Sequence, residues 1–267
     1  MGAIELTRRG LLDRTRALLA WSIGVVAYVA LLAATFPSLE GSDEFDELVE
    51  DYPAALKDLF GLSDVSLTTG PGYMDTELFN LMLPLLVLVL AIGAGSRTLA
   101  GEEEAGRLEL LLAYPLRRRS AVLTKGVAVA VEVAIVSAVA FGALAAFDGL
   151  VGLDLSLERL AGGILGLGLH GVLYAWLAIA VAAARPGRGL AIAIPAGVAA
   201  AGYLINGLQE LASWLEPFRF VSSFWWIGQS PLSHGVDYER FVLVAAAALV
   251  ALAAGSLLLE RRDLEAP

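Results

Sequence analysis

Six apolar runs, each about as long as a bilayer core requires, on the order of 20 residues, constrain this chain more than any other feature. They fall at about 17–36, 78–96, 121–147, 160–184, 189–209 and 240–259. Hydrocarbon offers no water to backbone N–H and C=O groups, so segments that cross it satisfy those groups internally, as helices. The expected class is an all-α polytopic membrane protein with six transmembrane helices. Composition agrees: 58% of residues are hydrophobic, against roughly 45–50% in soluble domains. Pro84 and Pro195 lie inside the second and fifth runs and are expected to kink them. There is no cysteine, which removes disulfides, thiol nucleophiles and thiolate metal sites from consideration. Two histidines, His170 and His234, argue against a histidine-rich metal centre, and no metal is expected.

Charge sets the orientation. One set of connecting segments carries 14 Lys and Arg residues and the alternate set only 4, and the sides alternate as six spans require. The excess of positive charge marks the cytoplasmic side, so both termini are expected there. Of the acidic residues 18 fall outside and 9 inside, leaving −14 outside and +5 inside. The acidic outer face is read as solvating a large loop. TRRGLL at 7–12 resembles a twin-arginine export signal, but Asp13, Arg14 and Arg16 separate it from the apolar run. That run is also long for a signal peptide. Residues 1–16 are read instead as a cytoplasmic amphipathic helix, with Ile4, Leu11, Leu12 and Leu18 on the bilayer.

Two outer segments stand out. Residues 37–77 form a long acidic connector. Its DELVEDYPAALKDLFG stretch suits short surface helices, and SLTTGPGYMDTE is expected as a loop, punctuated by Gly70, Pro71 and Gly72. Residues 210–237 are rich in Trp and Phe and broken by Pro217 and Pro231. They are too interrupted to span, and their aromatics suit the membrane interface, so a re-entrant or interfacial hairpin is expected.

Residues 97–119, RTLAGEEEAGRLELLLAYPLRRR, form the largest expected cytoplasmic loop. Glu102, Glu103 and Glu104 occupy the first turn of an expected helix, where carboxylates favour the positive end of the macrodipole. Ala105, Leu108 and Leu112 share a face. Pro115 ends the helix, and Arg117, Arg118 and Arg119 anchor the next span. Three consecutive glutamates disfavour a helix lying on the negative inner leaflet. They favour docking on a cytoplasmic partner.

GEEEAGRLELLLAYPLRRRSAVLTKG resembles the signature loop of the ABC-2 type permease family, the membrane subunits of one class of ATP-binding-cassette transporter. Glu102, Glu104, Gly106, Leu108, Glu109, Leu111, Leu112, Pro115 and Lys125 match its pattern in order, and Arg107 stands where a threonine is usual. YPAALKDLFG at 52–61 and GYMDTELFNLMLP at 72–84 resemble a bacterial and archaeal branch of the same family. The resemblance implies an ABC-2 type, type V exporter-like fold with a coupling helix at 98–113. It implies ATPase coupling through Glu102, Glu104, Gly106, Leu108, Glu109, Leu112 and Pro115. No G-x-x-x-x-G-K-[ST] phosphate loop is present, so no cofactor is expected in this chain, and ATP and Mg belong to a separate cytoplasmic ATPase subunit. A second permease subunit, identical or sister, is implied as well. The further partner is the lipid bilayer, and no nucleic acid is expected. The setting implied is the plasma membrane of a bacterium or archaeon, and two lysines against sixteen arginines suit a GC-rich genome.

Polar residues inside spans are functional candidates because burying them in hydrocarbon is costly. Glu132 lies near the middle of span three and His170 near the middle of span four. Pairing the two would lower the cost. They either line a substrate path or gate, or form a structural contact. Asn206 and Gln209, at the end of span five, stand between the same two readings. The glycines of span four (Gly162, Gly163, Gly166, Gly168 and Gly171) suit close helix packing. The spans show no charge-lined path, which favours a hydrophobic or amphipathic substrate over an inorganic ion. The family resemblance implies export of a drug, antibiotic or lipid-like compound. Two alternatives remain beside the permease reading: a membrane scaffold or sensor that docks a partner without transport, and an intramembrane enzyme using Glu132 and His170.

Overall fold

The computed structural model describes residues 3–42, 51–53, 56–57, 62, 65–106, 118–209 and 214–262, and side chains from residue 14 onward. Among these the chain is helical, without strands, and six helical segments are long and apolar enough to cross a membrane. They are Arg14–Ser38, Gly70–Thr98, Arg118–Val151, Leu157–Ala184, Arg188–Leu208 and Tyr238–Arg261. The helices are named in chain order as α1 (Ala3–Thr35), α2 (Gly70–Met74), α3 (Met82–Thr98), α4 (Ala100–Glu104) and α5 (Arg118–Val151). There follow α6 (Leu157–Ala184), α7 (Arg188–Leu208), α8 (Ser223–Ile227), α9 (Pro231–His234) and α10 (Tyr238–Arg261).

Helix α6 sits at the centre and packs against α3, α5, α7 and α10. Its glycines make that possible. Gly166 faces the Phe241 ring, Gly171 faces Val87 and Val133, and Gly163 faces Pro231 and Phe79, each where an added Cβ would collide. On α3, a Cβ at Gly95 would sit 2.3 Å from the Ala175 carbonyl oxygen, so the α3 backbone lies directly on α6. Burial follows this order. About two thirds of the most apolar stretch of Gly70–Thr98 is buried (67%), against 22% for Arg14–Ser38 and 28% for Arg188–Leu208.

Three expectations change. First, residues 3–16 and the first span are one helix, α1, with no break between them. Second, the stretch expected as a loop around Gly70-Pro71-Gly72 is the start of the second span. Thr69 accepts the Gly72 N–H at 3.3 Å as a cap, and Pro71 fits the first turn, where its missing N–H costs nothing. A Cβ at Gly70 would lie 2.1 Å from the Leu153 carbonyl oxygen, so only glycine fits that contact. The chain then runs through a π-helical turn, Asp75–Phe79, before α3 begins. Third, Pro84 lies in the first turn of α3 instead of kinking a formed helix. The break precedes it at Asn80–Leu81, where a proline leaves the carbonyl four residues back without its helical partner. Pro195 lies within α7, which continues through it.

Within its described part, residues 98–106, the expected helix at 98–113 is interrupted. Helix α4 stops at Glu104, and Gly106 takes φ +64°, a left-handed conformation that suits glycine and ends helices. Leu108, Glu109, Leu112 and Pro115 lie outside the described residues, as does most of the acidic connector. At the opposite end, the aromatic segment forms a 3-10 turn at Glu216–Val221 followed by α8 and α9.

Candidate functional site

At the arginine-rich end the three consecutive glutamates each reach a different part of the bundle. Glu102 forms an ion pair with Lys125 on α5, whose ammonium also donates to the Thr98 carbonyl at 2.9 Å. Glu103 pairs with Arg262, just past α10, and Arg262 donates to the Ala182 carbonyl of α6 at 3.2 Å. Glu104 Oε1 accepts the backbone N–H of Arg188, the first residue of α7, at 2.9 Å. Arg118, at the start of α5, adds a bond to the Arg262 carbonyl at 2.7 Å. Successive helical residues point about 100° apart, so three adjacent carboxylates fan toward three neighbours. The turn Ala100–Glu104 is thereby tied to α5, α7 and α10.

Glu132 and His170 do not meet, which corrects the expected pairing. Glu132 faces α1, where Arg14 Nε lies 3.3 Å from its Oε1 without hydrogen-bond alignment. His170 is fully buried on α6 and faces α8: its Nε2 and the Tyr174 hydroxyl each lie 2.9 Å from Ser223 Oγ. Phe224 packs edge-on to the imidazole at 4.6 Å between ring centres. Nδ1 has no partner among the described residues. A serine and histidine in contact suggest a nucleophile and base, but here nothing orients the ring from Nδ1 and Ser223 is only 5% exposed. The arrangement docks the hairpin onto the bundle.

The other limb of the hairpin is gripped twice. Asp75, 1% exposed, accepts the N–H groups of Leu232 and Ser233 at 3.0 and 2.7 Å. Arg159 donates to the carbonyls of the same two residues at 3.1 and 2.6 Å. Arg240 lies 4.0 Å from the Trp225 ring centre as a cation–π contact and pairs with Asp237 at 2.8 Å. Of the other sequence candidates, Asn206 is buried on α7, and Gln209 Oε1 is buried without a partner among the described residues.

Two apolar crevices open between helices. One, of about 450 Å³, lies between α1 and α3 and is lined by Trp21, Gly24, Tyr28 and Leu86. The other, of about 470 Å³, lies between α5 and α6 and is lined by Ser137, Phe141, Gly168 and Leu169. Glu132, His170, Asn206 and Gln209 line neither. Asp75, Arg159 and Ser223 did not emerge from sequence reading. The available signals were an acidic residue a few positions before an apolar run and a lone arginine opening span four.

Across this architecture the family model for ABC-2 family transporter proteins matches residues 11–264. The chain belongs to the ABC-2 transporter family. It is a membrane permease component of an ABC transporter, a multi-pass membrane subunit distinct from the ATPase that such a transporter requires. Comparison with curated proteins gave no match.

Proposed function

We propose that this ABC-2 permease exports a hydrophobic or amphipathic substrate, driven by a separate cytoplasmic ATPase that docks on residues 98–113. ATP and Mg are held by that partner. Two permease subunits, identical or sister, complete the transporter in the plasma membrane of a bacterium or archaeon. The arginine-rich end and both termini are then cytoplasmic, in keeping with the distribution of Lys and Arg.

The observation that carries the reading is the fan of Glu102, Glu103 and Glu104. A shift of this segment acts through its three carboxylates on the ends of α5, α7 and α10. Glu102 and Glu104 thus serve coupling from within, as the link between the docking segment and the bundle. Leu108, Glu109, Leu112 and Pro115 supply the docking surface, and Gly106 sets the turn between the two parts.

Reconstitution with the cognate ATPase tests this. Leu108→Asp with Leu112→Asp is expected to abolish ATPase binding. Glu102→Gln with Glu104→Gln is expected to leave the ATPase bound but to lose transport-coupled hydrolysis. Full coupling in both double variants would overturn the proposal. Cysteine labelling in intact cells should find residues 40–70 outside and 100–118 inside, and the reverse pattern would overturn the orientation.

A further inference from the structure

The crevice between α5 and α6 is a slot that follows the spans. Its lining runs from Ala130 to Phe141 on α5 and from Val172 back to Ala161 on α6, about 16 Å along each helix. It lies at mid-depth. Ser137 is about 18 Å along α5 from Lys125, whose bond to the Thr98 carbonyl marks the arginine-rich end. Gly168 is about 14 Å along α6 from Arg159, which grips the hairpin at the other end. A hydrocarbon core of about 30 Å therefore has its middle close to these two residues. An elongated apolar slot of about 470 Å³ at that depth suits a chain-shaped molecule lying parallel to the lipid tails.

One polar group interrupts this lining. Ser137 is the only polar side chain among the lining residues; it is 5% exposed, and its Oγ has no hydrogen-bond partner among the described residues. A serine or threonine inside a helix can donate to a carbonyl of the preceding turn. Ser96, Thr98 and Ser256 in the neighbouring spans do so, at 3.1, 2.6 and 2.9 Å. Ser137 does not. A Cβ on Gly168 would lie 3.4 Å from Ser137 Oγ, so the glycine leaves open the space beside the hydroxyl. Water does not answer the need, because a buried water takes two to four polar partners and the slot offers one side chain. Phospholipids do not answer it either, since their polar groups stay at the interface. A buried hydroxyl without a partner is costly, and an occupant that brings an acceptor to this depth removes the cost.

We propose that the slot between α5 and α6 binds a long-chain apolar molecule that carries one hydrogen-bond acceptor, a ketone, ether or hydroxyl oxygen, near the middle of its chain. The Ser137 hydroxyl donates to that oxygen and fixes the depth at which the chain lies. The small side chains of Ala130, Ala134 and Gly168 leave the room that the chain fills. Ala134, Ala138 and Leu165 are exposed, so the occupant enters sideways from the bilayer. The site stands apart from ATPase-driven export, because its binding is measured without the ATPase.

Native mass spectrometry of the full chain in phosphatidylcholine nanodiscs tests it, with octadecanoic acid and its mid-chain ketone as probes. The ketone is expected to bind about five-fold more tightly, the worth of one net hydrogen bond. Ser137→Ala should bring the ketone down to the level of the plain acid and leave the plain acid unchanged. Ala134→Leu with Gly168→Leu fills the slot and should remove both. The infrared stretch of the bound ketone should lie lower in the parent chain than in Ser137→Ala, a shift that a merely structural serine would not produce. Equal binding of the two acids by the parent chain overturns the site, as does a preference that survives Ser137→Ala. An equal preference for a ketone placed next to the carboxylate would overturn the depth assignment. The parent chain has no cysteine, so Ala138→Cys reports on the remaining occupant: disulfide cross-linking between two copies in membranes would seat a second chain in the slot and overturn the proposal.

Discussion

The two ends of this bundle are held by different chemistry. The arginine-rich end adds two side chain to side chain ion pairs between elements, Glu102 with Lys125 and Glu103 with Arg262, to its charged contacts on backbone groups. The hairpin end is held by charged side chains on backbone groups: Asp75 on two N–H groups and Arg159 on two carbonyls. An ion pair between partly exposed side chains can be exchanged for water or another partner at small cost. A buried carboxylate that caps backbone amides cannot, because its loss leaves those amides unsatisfied. The first kind of fastening suits an end that can rearrange. The second suits an end whose geometry stays fixed.

This contrast can be broken most sharply at Asp75. Asp75→Ala is expected to destabilise the chain by about 3 kcal/mol, the cost of leaving one buried and one part-buried amide unpaired. Thermal unfolding in detergent would measure it, and Asp75→Asn should lose less because one acceptor remains. A loss under 1 kcal/mol would mean that the hairpin is no more firmly fastened than the opposite end. Breaking the Glu103–Arg262 pair is expected to cost less, about 1–2 kcal/mol, since its side chains are 26% and 15% exposed. A double-mutant cycle with Glu103→Gln and Arg262→Gln isolates the pair. Ser223→Ala removes the hydroxyl shared by His170 and Tyr174. It should cost about 1 kcal/mol and speed proteolysis within residues 214–230, with no effect at residues 98–106. The smallest effect is that of salt. Raising ionic strength from about 0.1 to 1 M shortens the screening length from about 10 to 3 Å. Amide exchange should then quicken modestly at residues 98–106 and stay unchanged at 228–237. Equal quickening at both ends would erase the distinction.

Much of the fold was legible because hydropathy is a local property. Six runs of bilayer length announce six helices, and the signature around Glu102, Gly106 and Pro115 announces the family that the match across residues 11–264 establishes. The edges were less legible. Gly70-Pro71-Gly72 carries the composition of a loop but opens a helix, because Thr69 caps it and Leu153 leaves no room for a side chain at Gly70. Glu132 and His170 looked like partners because both interrupt apolar runs. Depth in the sequence does not fix the direction in which a helical side chain points, and the two face α1 and α8 respectively.

The sequence by itself determined that the chain lies in a membrane, how many times it crosses, and which family it joins, since each of these depends on residue type along the chain. Only the tertiary structure decided which charges meet. Three adjacent glutamates reach three different partners 23, 159 and 84 positions away in the chain, and Asp75 holds amides 157 and 158 positions away. Such pairings depend on how the helices pack around α6, a long-range outcome that no local pattern encodes.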